Sequence, residues 1–205
     1  MLSRPLRLGF LASRRGSSLR AIVAAIRAGE LDAEPRIVIS NNAGAEALEF
    51  AREQGLAWRH ISAATAGGAE AADAAIATAL QDAGAELVVL SGYLRKLGPQ
   101  VLHAYPGRIL NIHPALLPAY GGHGMYGRRV HEAVHAAGDK VTGATVHLVD
   151  EEYDTGAVLA RVEIGVEQGD TVEAIEQRVA AAEPLLFVNT LRSISEGALK
   201  LPEHD

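Results

Sequence analysis

The chain has 205 residues, no cysteine and a formal net charge of −6, with 48% hydrophobic and 21% charged residues. This length fits one domain, and the composition can bury a core, which excludes a wholly disordered protein. The lack of cysteine excludes disulfides, thiolate metal ligands and a cysteine nucleophile, and the acidic balance argues against binding along a nucleic-acid backbone. No stretch approaches about 18 uninterrupted apolar residues, so we expect a cytoplasmic protein without a membrane span.

Over residues 1–112 the chain alternates between strand and helix patterns. Four short apolar runs predict buried strands, at Leu6–Ala12, Arg36–Ser40, Leu87–Ser91 and Arg108–Ile112. Apolar residues at helical spacing predict helices between them, at Leu19–Ala28, Ala45–Gln54 and Ala69–Ala83. This order is typical of an α/β protein with an open, mostly parallel twisted sheet and helices on both faces.

After residue 112 the pattern changes. The elements predicted there are a loop at Pro114–Gly124, a helix at Arg128–Ala137, two half-exposed strands at Thr142–Val149 and Ala157–Ile164, and helices from Asp170 to Ala182 and from Leu185 to Ile194. The two strands are expected to form an antiparallel addition to the sheet. We expect Pro184 to break or kink the helical region, because proline lacks a backbone N–H, and the tail Leu201–Asp205 to be frayed.

The turn after the first predicted strand, SRRGSSLR, is a candidate anion site. Ligands of open α/β sheets bind where strands end, and free N–H groups at a helix N-terminus favour a phosphate. Gly16 would allow the backbone to approach closely, and Ser17 or Ser18 would cap the helix and offer a hydroxyl. With a single glycine the segment is neither a dinucleotide-binding fingerprint nor a P-loop, and an ordinary helix cap explains it equally well.

His131-Glu132-Ala133-Val134-His135 matches the H-E-x-x-H pattern of zinc hydrolases. A catalytic zinc needs a third protein ligand, and the position where longer motifs supply it holds Val141. We therefore interpret the two histidines as part of a polar helix face and expect no metal.

The strongest candidate for chemistry is Asn111-Ile112-His113-Pro114, at the end of a predicted buried strand. Residues two apart point to the same side of a strand, so Asn111 and His113 should face one site. Addition to a carbonyl requires this combination, because an amide stabilises the oxyanion while an imidazole handles the proton. The prolines that follow would hold the pair in place.

The loop Asp150-Glu151-Glu152-Tyr153-Asp154 holds four carboxylates in five positions. One of them near His113 would favour the protonated form of the imidazole, whereas a solvated acidic hairpin is the alternative interpretation. The residues alone leave both Asp150 and Asp154 open for this role.

The motif NIHPALLP, followed by VTGATVHLVDEEYDTGAVL, resembles the folate-dependent formyltransferase family over nearly the whole chain. The resemblance implies a Rossmann-like formyltransferase fold in one domain, with a phosphate-binding half at 1–112 and the catalytic loop, acidic loop and C-terminal helices at 113–205. It also implies formyl transfer from 10-formyltetrahydrofolate, without a metal, to the amine of glycinamide ribonucleotide in purine biosynthesis. We expect a monomer or homodimer that binds neither nucleic acid nor membrane.

Residue by residue, the resemblance implies a catalytic trio of Asn111, His113 and Asp154. It places the substrate phosphate at Gly16, Ser17 and Ser18, and the amine end of the substrate near Glu183. The folate is expected to contact Asn111, the segment Leu94, Arg95, Lys96 and Leu97, and the acidic loop Asp150, Glu151, Glu152, Tyr153 and Asp154. The chain departs from the family pattern at Ser18, Ala69 and Pro184, which affects the details of binding.

Three alternatives stay open. Another formyl-folate enzyme, such as a formyltetrahydrofolate hydrolase or a different amine formyltransferase, would use the same core. A non-catalytic nucleotide- or folate-binding protein would fit the departures from the family pattern, and a zinc hydrolase would fit the H-E-x-x-H match.

Overall fold

The structure, a computed structural model, describes residues 4–202. Its strands are, in chain order, β1 (Leu6–Ala12), β2 (Ala33–Ser40), β3 (Trp58–His60), β4 (Leu87–Leu90), β5 (Ile109–His113), β6 (Val141–Leu148) and β7 (Val158–Gly165). Its helices are α1 (Ser17–Arg27), α2 (Glu46–Glu53), α3 (Ala63–Ala66), α4 (Ala69–Asp82), α5 (Pro99–Ala104), α6 (Arg128–Ala137) and α7 (Val172–Ser195).

The seven strands form one sheet in the order β3-β2-β1-β4-β5-β6-β7. Neighbouring strands from β3 to β5 pair in parallel, whereas the β5–β6 and β6–β7 pairs are antiparallel. The predicted α/β fold, mostly parallel with an antiparallel addition near the C-terminus, is therefore confirmed. Because β2 and β4 lie on opposite sides of β1, the loops after β1 and β4 diverge and open a crevice at the carboxyl ends of these strands.

Apolar side chains on both faces of the sheet join it to the helices. On one face Phe10 belongs to a buried cluster with Leu19 of α1 and Phe187 of α7, and on the other Leu11 clusters with Leu80 of α4. Phe10 and Leu11 are adjacent on β1 and fully buried, and adjacent strand residues point to opposite faces. The sheet is thus covered by helices on both sides, which fixes the strand ends that carry the candidate site.

The structure corrects two expectations about the C-terminal part. The predicted break at Pro184 is wrong, because α7 runs through it as one helix of 24 residues. Buried side chains on either side of the proline, such as Val179 and Phe187, pack against the rest of the protein and keep the helix continuous despite the lost hydrogen bond.

The predicted fraying of the tail is wrong for Leu201 and Pro202. Leu201 packs against a core cluster, and Nη1 of Arg108 donates to the Pro202 carbonyl oxygen at 2.8 Å. The remaining tail residues, 203–205, lie outside the described residues. Within residues 4–202, no helix has both the length and the apolar character needed to cross a membrane.

Candidate active site

The predicted catalytic side chains meet near the end of β5. Asn111 and His113 project from this strand, and the loop between β6 and β7 brings Asp154 to them. Oδ2 of Asp154 lies 3.5 Å from Nδ1 of His113, and the two side chains are only 10% and 4% exposed. Of the two aspartates that the sequence left open, Asp154 is the one beside the histidine. Oδ1 of Asp150 instead accepts two hydrogen bonds from within its own loop.

The ring of His113 has an acceptor on each side. Its Nε2 lies 2.7 Å from the carbonyl oxygen of Tyr120. A carbonyl only accepts hydrogen bonds, so Nε2 carries a hydrogen. Nδ1 faces Asp154 at 3.5 Å, which is longer than an ordinary N–H···O bond. When the ring is protonated, Nδ1 also carries a hydrogen, and at this distance that hydrogen does not make an ordinary hydrogen bond to the carboxylate.

His147 is a site residue that the sequence reasoning missed. It lies on β6 directly opposite Asn111, and burial lowers its pKa, which keeps the ring neutral. Nδ1 of His147 donates to the Leu148 carbonyl oxygen at 2.8 Å, so Nε2 accepts from Nδ2 of Asn111 at 3.2 Å. This contact orients the amide of Asn111 and leaves its second N–H for a ligand. The sequence offers one clue to this role, because His147 lies within TVHLV, a segment predicted to be a strand.

The acidic loop depends on close backbone contacts. Asp154 has a φ of 60°, and its Oδ2 accepts a hydrogen bond from the N–H of Gly122 at 2.9 Å. A Cβ added at Gly156 would lie 1.9 Å from the carbonyl oxygen of Leu148. Only glycine therefore allows this loop to close onto β6 and present Asp154 to His113.

A cleft opens beside these residues, between the loop after β4 and the acidic loop. Of the positions expected to contact folate, Arg95, Lys96, Leu97, Asn111 and the whole segment Asp150–Asp154 line it. Nζ of Lys96 lies 5.5 Å from the centre of the Tyr153 ring, so a cation–π contact links the two walls. His147 and Tyr93 also line the cleft and were not expected there.

Leu94 lies outside this cleft. Its side chain is exposed, and it lines a neighbouring depression together with Ser13. The N–H of Leu94 donates to Oγ of Ser13 at 2.8 Å. Any main-chain contact from Leu94 to a ligand must therefore use its carbonyl.

The N-terminus of α1 follows β1 at the carboxyl edge of the parallel strands. Gly16 is its N-cap residue with a φ of 67°, and an added Cβ there would lie 3.1 Å from Cβ of Ala47. The predicted capping by Ser17 or Ser18 is wrong, since the N-cap residue is Gly16 and neither serine caps the helix; in the first turn the N–H of Leu19 instead donates to Oγ of Ser91 at 2.9 Å. The N–H groups of Ser17 and Ser18 have no acceptor within residues 4–202, and the first turn holds no acidic side chain. The turn is therefore suited to an anion.

Glu183 lies in the middle of α7, one turn before the buried Phe187. Burial raises the pKa of its carboxyl to about 7. No hydrogen bond or ion pair to this carboxyl is formed within the described part of the chain. A half-buried carboxyl without a partner is a common mark of a ligand-binding position.

The H-E-x-x-H match does not form a metal site. His131 is only 3% exposed, so the interpretation as a polar helix face is wrong for this residue, whereas His135 is exposed. Burial lowers the pKa of His131, and its Nδ1 has no hydrogen-bond partner among residues 4–202. In the same residues, no group of three or more histidine, aspartate or glutamate side chains is arranged to hold a metal ion.

The chain is similar to proteins of known function along nearly all of its length. Residues 6–191 match a family described as formyl transferase. The chloroplastic phosphoribosylglycinamide formyltransferase of Arabidopsis thaliana is 35% identical over 200 residues, which are 96% of this chain and 68% of the relative. The phosphoribosylglycinamide formyltransferase of Haemophilus influenzae is 32% identical, with 97% of this chain and 91% of the relative covered. The chain spans only 19% of the trifunctional purine biosynthetic protein adenosine-3 of Gallus gallus, at 36% identity.

Solved structures give the same relationship. Glycinamide ribonucleotide transformylase 1 from Symbiobacterium toebii superposes with a TM-score of 0.88 at 36% identity, covering 99% of this chain and 96% of that one. A formyltetrahydrofolate deformylase from Pseudomonas syringae superposes with a TM-score of 0.85 at 25% identity, covering 99% of this chain but 65% of that one. The family match, the relatives aligned over nearly their whole length and the shared fold show that the chain belongs to the formyl transferase family.

Proposed function

We infer that this chain transfers the formyl group of 10-formyltetrahydrofolate to the amino group of glycinamide ribonucleotide, a step of purine biosynthesis. The observation that carries the inference is the near-complete mutual coverage with the phosphoribosylglycinamide formyltransferase of Haemophilus influenzae. The deformylase relative is less similar, at 25% identity. The candidate site supports the same activity, because it places amide and imidazole donors beside a cleft suited to a flat, partly polar co-substrate.

The proposed chemistry is direct transfer. The amino nitrogen attacks the formyl carbon, and negative charge develops on the formyl oxygen. The free N–H of Asn111 and the Nδ1–H of protonated His113 stabilise this oxyanion, and the carboxylate of Asp154 stabilises the charged ring. The bond between the formyl carbon and the folate nitrogen then breaks, and the proton released by the amine passes to that nitrogen through water.

The remaining site residues are proposed to bind and orient the two substrates. The N–H groups of Ser17 and Ser18, with Gly16, hold the phosphate, which converts remote binding into alignment of the amine. Glu183 lies near the amine end of the substrate. The folate occupies the cleft between Arg95–Leu97 and Asp150–Asp154, where Lys96 and Tyr153 face each other, and Leu94 borders it from the neighbouring depression.

The organisation of residues 1–205 as one formyltransferase domain with two functional halves remains a prediction. A cytoplasmic location and a monomeric or homodimeric state are likewise proposed from the sequence.

A formyl-transfer assay tests the function. Purified protein is mixed with 10-formyltetrahydrofolate, with and without glycinamide ribonucleotide, and both formylated product and released formate are measured. We expect transfer that depends on the acceptor. Formate release without the acceptor would instead identify a hydrolase, and binding without either product would identify a non-catalytic protein.

Replacing His113 tests the proposed mechanism. His113→Asn is expected to lower kcat by about 10²–10³-fold, the typical effect of losing one oxyanion-stabilising group. His135→Asn serves as the matched control, because His135 is exposed on α6 and away from the cleft. Near-wild-type turnover of His113→Asn would contradict the assignment.

A further inference from the structure

Two residues other than glycine have a positive φ in the described chain, and both flank the same histidine. They are Tyr120, with a φ of 56°, and Asp154, with a φ of 60°. The carbonyl of Tyr120 and the carboxylate of Asp154 lie at the two ring nitrogens of His113. Residues with a Cβ are disfavoured in this conformation, so the surroundings must hold each of them in place.

Tyr120 is held by its own side chain. Its hydroxyl donates to Oδ2 of Asp139 at 2.6 Å, and this hydrogen bond, with burial, raises the pKa of Tyr120. Asp139 follows Gly138, the residue that ends α6 with a φ of 69°. The bond therefore ties the loop after His113 to the end of a helix whose other face is packed into the core.

Other anchors of this loop lie on both sides of Tyr120. Oγ1 of Thr145 accepts from the N–H of Leu117 at 3.1 Å and donates to the Ala115 carbonyl oxygen at 2.7 Å. Arg161 donates to the Leu117 carbonyl oxygen at 2.5 Å. These contacts fix residues 115–117.

Closer to Tyr120, the N–H of Gly121 donates to the Pro118 carbonyl oxygen at 3.4 Å and the N–H of Gly122 donates to Oδ2 of Asp154 at 2.9 Å. The hydroxyl of Tyr120 adds the bond that ties this turn to Asp139 at the end of α6.

We propose that Asp139 and the hydroxyl of Tyr120 form a positioning pair for His113. By fixing the Tyr120 carbonyl as the acceptor for the Nε2–H, they hold the ring in one orientation and keep Nδ1 directed toward the reacting atoms. Neither side chain is assigned a contact with substrate. The inference rests on the proposed function, since it takes His113 as the group that acts in formyl transfer.

The kinetic test is Tyr120→Phe, which removes only the hydroxyl. We expect kcat to fall about tenfold, the scale of one lost charge-assisted hydrogen bond, with the KM values for both substrates unchanged. Asp139→Asn should give a similar loss, and the double variant should lose little more, because both changes break one interaction. Tyr126→Phe is the control, since Tyr126 lies on the same loop with its ring exposed.

A spectroscopic test does not depend on activity. The test uses NMR of protein labelled with ¹⁵N-histidine. The signal of the hydrogen on Nε2 of His113 is identified as the one that is missing from the spectrum of the His113→Asn variant. We expect it to persist in wild type and Tyr126→Phe and to be lost by exchange with water in Tyr120→Phe. Thermal melts establish that each variant is folded, and Asp139→Asn replaces Tyr120→Phe if the latter is not.

Two results would overturn the proposal. One is a folded Tyr120→Phe variant with wild-type kcat and an unchanged His113 signal. The other is a rise in KM at constant kcat, which would assign the pair to binding rather than to orientation of His113. Absence of formyl transfer in the wild type would overturn the proposed function instead, and the spectroscopic comparison would still test the pair.

Discussion

Replacing Glu183 by glutamine is expected to stabilise the protein above neutral pH while weakening binding of the nucleotide substrate. The carboxyl lies half-buried on α7, and no described residue donates a hydrogen bond or a positive charge to it. Its charged form is therefore poorly solvated in the free enzyme. Stability and binding are expected to change in opposite directions, because the same unpaired carboxylate is available to a ligand.

The size of the effect follows from the pKa. Burial raises the pKa of Glu183 from 4.5 to about 7, so the folded protein keeps a proton between these pH values that the unfolded chain has released. Stability therefore falls as the pH rises through this window, and the loss is complete by about pH 8. The shift corresponds to at most about 3 kcal/mol, and we expect about 1–3 kcal/mol because part of the side chain remains in water.

The free energy of unfolding of wild type and Glu183→Gln should be measured by denaturant titration at pH 5, 6, 7 and 8. We expect nearly equal values at pH 5 and a growing advantage for Glu183→Gln up to pH 8, together with a higher KM for glycinamide ribonucleotide. Glu163→Gln is the control, because Glu163 is exposed on β7. A Glu183→Gln variant that is no more stable than wild type at pH 8 would refute the reasoning.

Two further changes test how the loops of the site are held. Gly16→Ala combines a positive φ with crowding against Ala47, so we expect about 1–2 kcal/mol lower stability and a raised KM for the nucleotide. Gly29→Ala is the control, because Gly29 has a φ of 73° with open space around it, so this variant should lose stability without a change in KM. Equal KM values for the Gly16→Ala and Gly29→Ala variants would contradict the assignment of the phosphate site to Gly16. Asp73→Asn removes the charged acceptor of the Gly98, Gln100 and Val101 N–H groups at the start of α5. We therefore expect the KM for folate to rise and the stability to fall by about 2 kcal/mol. The control Asp82→Asn changes an exposed carboxylate and should alter neither. An unchanged folate KM in Asp73→Asn would show that the loop after β4 does not need this cap.

Local patterns were sufficient to predict most of the fold. Strand β1 and helix α6 have the predicted bounds, because an apolar run and an apolar helix face are properties of neighbouring residues. The strand Trp58–His60 was missed because it is three residues long, with two of them exposed. It exists as a strand only through its parallel pairing with β2.

The prediction for Pro184 failed for a related reason. Proline disfavours a helix locally, whereas α7 packs against α1, α6, β6 and β7 on both sides of that position. Packing of the whole helix outweighs the loss of one hydrogen bond, and a local rule has no access to that packing.

The sequence by itself determined the parallel sheet, the strand that carries Asn111 and His113 together, and the motifs that relate the chain to the formyl transferase family. Each of these depends on residues close together in the chain. The family resemblance selected Asp154 over Asp150, and the structure places Asp154 beside His113. Only the tertiary structure decided that His147 orients Asn111 and that the Tyr120 carbonyl binds the His113 ring. These contacts join residues from different strands and loops, so they are set by strand register, positive φ angles and packing.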